Sequence, residues 1–351
     1  MGSIPHRTMA EQNRWLAGAV EAVIDPARRI VDAHHHLWWR PPEAYQLPEL
    51  MADLDSGHDM RASVFVQCNA MYRADGPEEM RPVGETDYVN DMAAIGASGL
   101  YGDRRPCAGI VGYADLRLGD AVAPVLEAHL AAGDGRFRGI RQQAQWDAKV
   151  GALAKITPPR YLLADSAFRR GFARLAPLGL SFDAWVYFTQ LDEVAALAAA
   201  FPDTPIILDH IGAPLGVGPY AKRRKAVFET WREGINLLAR HAGVTVKLGG
   251  LGMAAYGFGF EAREHPPSSE ELAQAWGPYI IHCIEAFGPD RCMFESNFPV
   301  DRQSCSYRTL WNAFKRIAAD CPEADKDALF HGTATRVYRL EHDLGSDDGD
   351  K

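Results

Sequence analysis

The sequence predicts an α/β chain folded as a (β/α)8 TIM barrel. Three observations predict it. Eight short apolar runs recur along the chain, helical periodicity fills the gaps between them, and polar residues close nearly every run. Alternating strands and helices favour a parallel sheet, and eight repeats close such a sheet into a barrel. A doubly wound open sheet would favour an early Gly-rich phosphate loop. No GxGxxG follows the first run.

The runs place strands near 30–36, 61–68, 106–113, 137–142, 180–187, 205–210, 243–248 and 291–297. Their cores are short and rich in branched or aromatic residues, as in Val64-Phe65-Val66, Ile206-Ile207-Leu208 and Val244-Thr245-Val246. Apolar residues return every three or four positions over 121–132, 191–201, 223–241 and 270–287, which predicts helices there. Gly133 and Pro202 stop two of them. Residues 29–341 thus read as one barrel domain, 1–28 as an N-terminal extension and 342–351 as a disordered tail.

Composition narrows the function classes. Hydrophobic residues make up 47% of the 351, enough for a large core. No apolar run reaches the roughly 18 residues that a membrane span needs. The balance of 37 basic and 46 acidic residues gives −9, which argues against a nucleic-acid surface. The expected partner is a small molecule, anionic if a local Arg or Lys receives it. A homodimer stays open. The six cysteines form no CxxC, and the start of the chain carries no apolar secretory stretch, so a reducing cytoplasm is expected.

The densest chemical signal is Asp32-Ala33-His34-His35-His36-Leu37, at the end of the first run. The strand period of two puts His34 and His36 on one face, with Asp32, and turns His35 away. Two imidazoles at a strand end suggest a metal site or a cluster of proton donors. An engineered tag would sit at a terminus without a strand leading into it. Further polar groups close the other runs: Gln67, Arg141, Trp185 and Tyr187, Asp209-His210, Lys247, and Glu295-Ser296-Asn297. A barrel carries its catalytic groups at these C-terminal ends. Residues 253–260, glycine-rich and aromatic, read equally as a lid or as a rigid loop. Glu85 and Asp87 are expected to serve a helix N-terminus.

These residues resemble the amidohydrolase superfamily in its amidohydrolase-2 branch. The resemblance rests on Asp32–Trp38, on Leu208-Asp209-His210-Ile211-Gly212-Ala213-Pro214, on Lys247-Leu248-Gly249-Gly250-Leu251 and on Phe294-Glu295-Ser296-Asn297-Phe298-Pro299-Val300-Asp301. A closing stretch, Gly332 to Leu340, resembles the family's last helix. The pieces keep the family's order over about residues 29 to 340.

The resemblance implies roles. His34 and His36 match a metal-holding HxH, and His210 matches a histidine that binds metal or polarises a carbonyl. Together they imply a weakly held divalent ion, such as zinc, or a site that works without one. The departure is Asn297, where metal-dependent relatives carry Asp. A neutral amide is no general base and a poor zinc ligand. Glu295 is then the candidate base, with a structural pair to Lys247 as the equal alternative. Arg141 and Lys247 are expected to bind an oxyanion or carboxylate; Gln67, Trp185 and Tyr187 complete the expected substrate-binding set. The leading expectation is a hydrolase that opens a sugar-acid, aromatic or pyrone lactone. Its three histidines would orient the carbonyl. A metal-dependent nonoxidative decarboxylase, an amide hydrolase and a catalytically silent small-molecule-binding barrel are the alternatives.

Overall fold

A computed structural model describes residues 7–41, 43–150 and 157–344. Its main sheet has eight parallel strands in sequential order: Arg29–His35, Asp59–Val66, Arg105–Gly112, Phe137–Ile140, Ser181–Ala184, Ile206–Leu208, Val244–Leu248 and Cys292–Phe294. The last strand returns to the first. Asn297 N–H donates to the His34 carbonyl at 2.8 Å, and His36 N–H donates to that of Phe298 at 2.8 Å. The barrel is therefore closed by the same short segments that carry the histidines and Asn297.

A helix follows each strand: Leu47–Leu54, Val83–Ala97, Ala123–Ala132, Ser166–Phe172, Leu191–Ala200, Arg224–Leu238, Ser269–Phe287 and Tyr307–Ile317. Their apolar faces pack on the outside of the barrel, with Trp231, Trp276 and Trp311 among the largest wholly buried side chains. A second apolar cluster joins Val31, Val64, Val111, Ile207 and Met293 of the strands to Tyr338 and Leu340 near the chain's end. Burying such side chains is the main favourable term in folding.

The strands end earlier than their apolar runs suggest. The fifth stops at Ala184, the sixth at Leu208 and the eighth at Phe294. The polar residues beyond leave the ladder, which frees their side chains to converge. The extension before the barrel is not detached. Its helix Met9–Leu16 and the segment after it bind the barrel's later loops and helices. Trp15 Nε1 donates to the Arg263 carbonyl, and Ser269 and Asn312 donate to Glu21. The expected tail at 342–351 begins inside a helical turn, Glu341–Leu344; residues 345–351 lie outside the described residues.

Candidate active site

The first strand does not keep its alternation. Its register against the second strand slips between Asp32 and His35. A slip of one residue moves side chains to the opposite face. Asp32 therefore does not share the face of His34. Its Oδ1 accepts from Ser296 N–H at 2.8 Å, and its Oδ2 accepts from the Tyr307 hydroxyl at 2.9 Å. Asp32 ties the first strand to the eighth strand's exit and to the final barrel helix. Burial pushes its carboxyl up to about 6, against the pull of those donors.

His210 sits on an unusual turn. His210, Ile211 and Ala213 have φ of 54°, 50° and 43°, left-handed values that non-glycine residues rarely adopt. Each costs on the order of 1–3 kcal/mol and persists only where the surroundings over-determine it. They do so here. Trp231 Nε1 donates to the Ile211 carbonyl, the Tyr256 hydroxyl donates to the His210 carbonyl at 2.7 Å, and His210 N–H donates to Glu295 Oε1 at 3.0 Å. Glycine is required opposite. A Cβ on Gly250, itself at φ +70°, would lie 2.6 Å from the His210 ring. Tyr256, wholly buried, anchors the 253–260 segment to His210.

Glu295 joins two histidines. Its Oε1 accepts from His210 Nδ1 at 2.7 Å, and its Oε2 lies 2.9 Å from His34 Nδ1. Burial opposes its charge, yet His210 and His34 outweigh that and hold the carboxyl down at about 2. His34 is driven well below its ordinary value by burial, then by the Lys247 ammonium. It is neutral. Arg141 Nη1 lies 3.3 Å from His34 Nε2. A guanidinium and an ammonium only donate, and Lys247 Nζ lies 3.2 Å from His34 Nδ1, so both ring nitrogens of His34 face cationic donors. His36 donates from Nδ1 to the Val66 carbonyl at 2.7 Å. Burial and then Arg141 keep it neutral as well.

Lys247 lies below this layer. Its Nζ is 2.6 Å from Asp183 Oδ2 and 3.1 Å from Asp209 Oδ1, and the Tyr338 hydroxyl donates to Asp183 at 2.9 Å. Both carboxylates flank the ammonium, so it is paired and not available to a substrate. The expected substrate role of Lys247 is corrected accordingly. Asp183, in the middle of an apolar run, carried the signal for this cluster: a charge there needs a buried partner.

Accessibility separates the groups that a ligand can reach from those behind them. Arg141 and His36 are 4% exposed, His210 2% and Asn297 1%, whereas His34, Lys247, Asp183, Asp209 and Glu295 are at 0%. Trp185 is half-buried and meets His210 in a T-shaped contact, 4.8 Å between centroids, and Tyr187 makes a second T-shaped contact with Trp185. Gln67 is wholly buried, with no partner for either amide atom. Its backbone carbonyl accepts from Arg141 Nη2. Glu85 does more than attend a helix terminus. It accepts from the N–H groups of Cys68 and Ala70, at 3.0 and 2.8 Å, and shapes the loop beyond the second strand.

Among the described residues, one group could hold a metal. Ligand atoms of His34, His210 and Glu295 lie within 4.8 Å of one another. Two imidazoles and a carboxylate are donors that zinc accepts, so these residues fit a divalent ion. The structure groups Glu295, not His36, with the other two.

The chain matches the Amidohydrolase family profile over residues 31–340. It is 33% identical over 333 residues to the uncharacterized protein y4mH of Sinorhizobium fredii, covering 89% of this chain and 98% of that protein. It is 28% identical over 326 residues to an L-fucono-1,5-lactonase of Burkholderia multivorans, covering 88% and 96%. A solved amidohydrolase from Burkholderia multivorans with bound zinc superposes with a TM-score of 0.68 at 27% identity, over 89% of this chain and 99% of that one. The profile spans most of the chain, and the chain belongs to the amidohydrolase family.

Proposed function

We propose that this protein hydrolyses a lactone, with His210 as general base and Arg141 as oxyanion donor. The observation that carries it is the Glu295–His210 pair. Glu295 fixes the His210 proton on Nδ1, at 2.7 Å, so Nε2 keeps its lone pair. A carboxylate behind a histidine stabilises the imidazolium that forms when the ring takes a proton. The lactonase-named relative in Burkholderia supports the choice of bond.

The steps follow from these proposed roles. Water gives a proton to His210 Nε2, and its oxygen bonds to the lactone carbonyl carbon. The carbonyl pair moves onto oxygen. His36, neutral, cannot stabilise that oxyanion as a donor, because its only N–H is committed at Nδ1. Arg141 can, as a guanidinium that keeps 4% exposure. Collapse breaks the ring C–O bond, and His210 returns the proton to the departing oxygen. Trp185 offers its face to the sugar or aromatic ring. A divalent ion held by His34, His210 and Glu295 would polarise the carbonyl when bound. Two cations crowd His34, Arg141 at 3.3 Å and Lys247 at 3.2 Å, so we propose that metal binding is weak.

The test is a pH-indicator screen of wild-type protein with sugar, aromatic and pyrone lactones. Acid release that His210→Ala abolishes supports the reading. No acid release across the panel overturns it.

A further inference from the structure

Asn297 lacks the charge that a strand-eight carboxylate would supply, but a carboxylate is bonded to it. Asn297 Nδ2 donates to Asp301 Oδ1 at 2.8 Å. The other oxygen, Oδ2, accepts from Gly252 N–H at 2.8 Å. The backbone closes the same turn, with Asp301 N–H donating to the Asn297 carbonyl at 3.2 Å. Gly252 must be glycine for this contact, because a Cβ there would lie 2.9 Å from the Asp301 carboxyl. Both Asp301 oxygens are thus assigned, and the side chain is wholly buried.

This bond fixes the direction of an amide. A carboxylate only accepts, so it selects the NH2 end of Asn297. The carbonyl end, Oδ1, is left for the other side, in a residue that keeps 1% exposure. Asn297 has little freedom to turn otherwise. Its φ is 53°, and its own N–H is tied to His34 at 2.8 Å. Burial pushes the Asp301 carboxyl up to about 7, against the pull of the Gly252 N–H, His210 and the Asn297 amide, so the bond described is that of its ionised form.

We propose that Asp301, acting through the Asn297 amide, positions the attacking water. One water hydrogen points to Asn297 Oδ1 and the other to His210 Nε2, which takes it. Asp301 is a positioning residue, one turn along the chain from the place of the missing acid. This rests on the lactone-hydrolysis reading above.

The test uses four full-length proteins: wild type, Asp301→Asn, Asn297→Asp and the exchange Asn297→Asp/Asp301→Asn. Asp301→Asn should keep its melting temperature and KM and lose about 100-fold in kcat, the cost of a misplaced reactant. Asn297→Asp sets two carboxylates against each other and should lose activity. The exchange restores an amide–carboxylate bond and should recover most of the loss. Undiminished kcat in Asp301→Asn, or an exchange as inactive as the single variants, overturns the proposal. A wild-type crystal structure separates this failure from that of the lactone reading. A water within about 2.6–3.2 Å of both Asn297 Oδ1 and His210 Nε2 upholds the positioning even in a protein that opens no lactone. A site without that water removes it, whatever the rates.

Discussion

Glu295 is charged, buried and shared by two rings, and its removal separates chemistry from binding. Glu295→Gln keeps the shape but leaves the tautomer of His210 undefined. We expect kcat to fall by about 100- to 10,000-fold with KM little changed, measured by initial rates of acid release. Gly250→Ala should act on the same ring from the other side. Its Cβ would meet the His210 ring at 2.6 Å, so about 100-fold in kcat should go without any change in the charged groups. Far-ultraviolet circular dichroism checks that the barrel stays folded in both. The sequence made His34, His36, His210 and Glu295 legible as chemistry, because polar residues interrupt apolar runs at strand ends. It did not reveal which ring nitrogen each would offer. That depends on partners distant in the chain, such as Val66 for His36 and Arg141 for His34.

At the scale of elements, the strands are held to their task by a buried ion cluster. Asp183, Asp209 and Lys247 come from the fifth strand, the sixth strand's exit and the seventh strand. Lys247→Met leaves two buried carboxylates without their cation. We expect a loss of about 3–5 kcal/mol of stability, measured by urea unfolding. Helix and strand positions were readable from periodicity, with four helices ending within a few residues of expectation. The face of Asp32 was not. Alternation assumes an unbroken ladder, and the slip between Asp32 and His35 breaks it. Strand lengths were overestimated for a related reason. Asp209 and His210 continue an apolar run in sequence but leave the sheet through a left-handed turn that only tertiary contacts sustain.

Across the whole molecule, buried neutral histidines set part of the acid limit of the fold. His129 is wholly buried between the Thr86 hydroxyl and the Tyr113 carbonyl, and burial pulls it from 6.5 to about 4. The unfolded chain binds that proton first as pH falls. The contribution of His129 is therefore complete above pH 6.5 and is lost as pH drops through 4. The stability lead of wild type over His129→Gln should shrink across that window in urea unfolding, and a constant lead would refute the assignment. Closure of the barrel by His34, His36, Asn297 and Phe298 makes fold and site one construction, so the decisive question is chemical. The most direct measurement is the rate of lactone opening by chelator-treated wild-type and Glu295→Gln enzymes, compared side by side. Wild-type turnover that survives chelation and falls at least about 100-fold in the variant is the predicted result. A wild type that stops on chelation, or a variant as fast as wild type, would contradict the Glu295–His210 base.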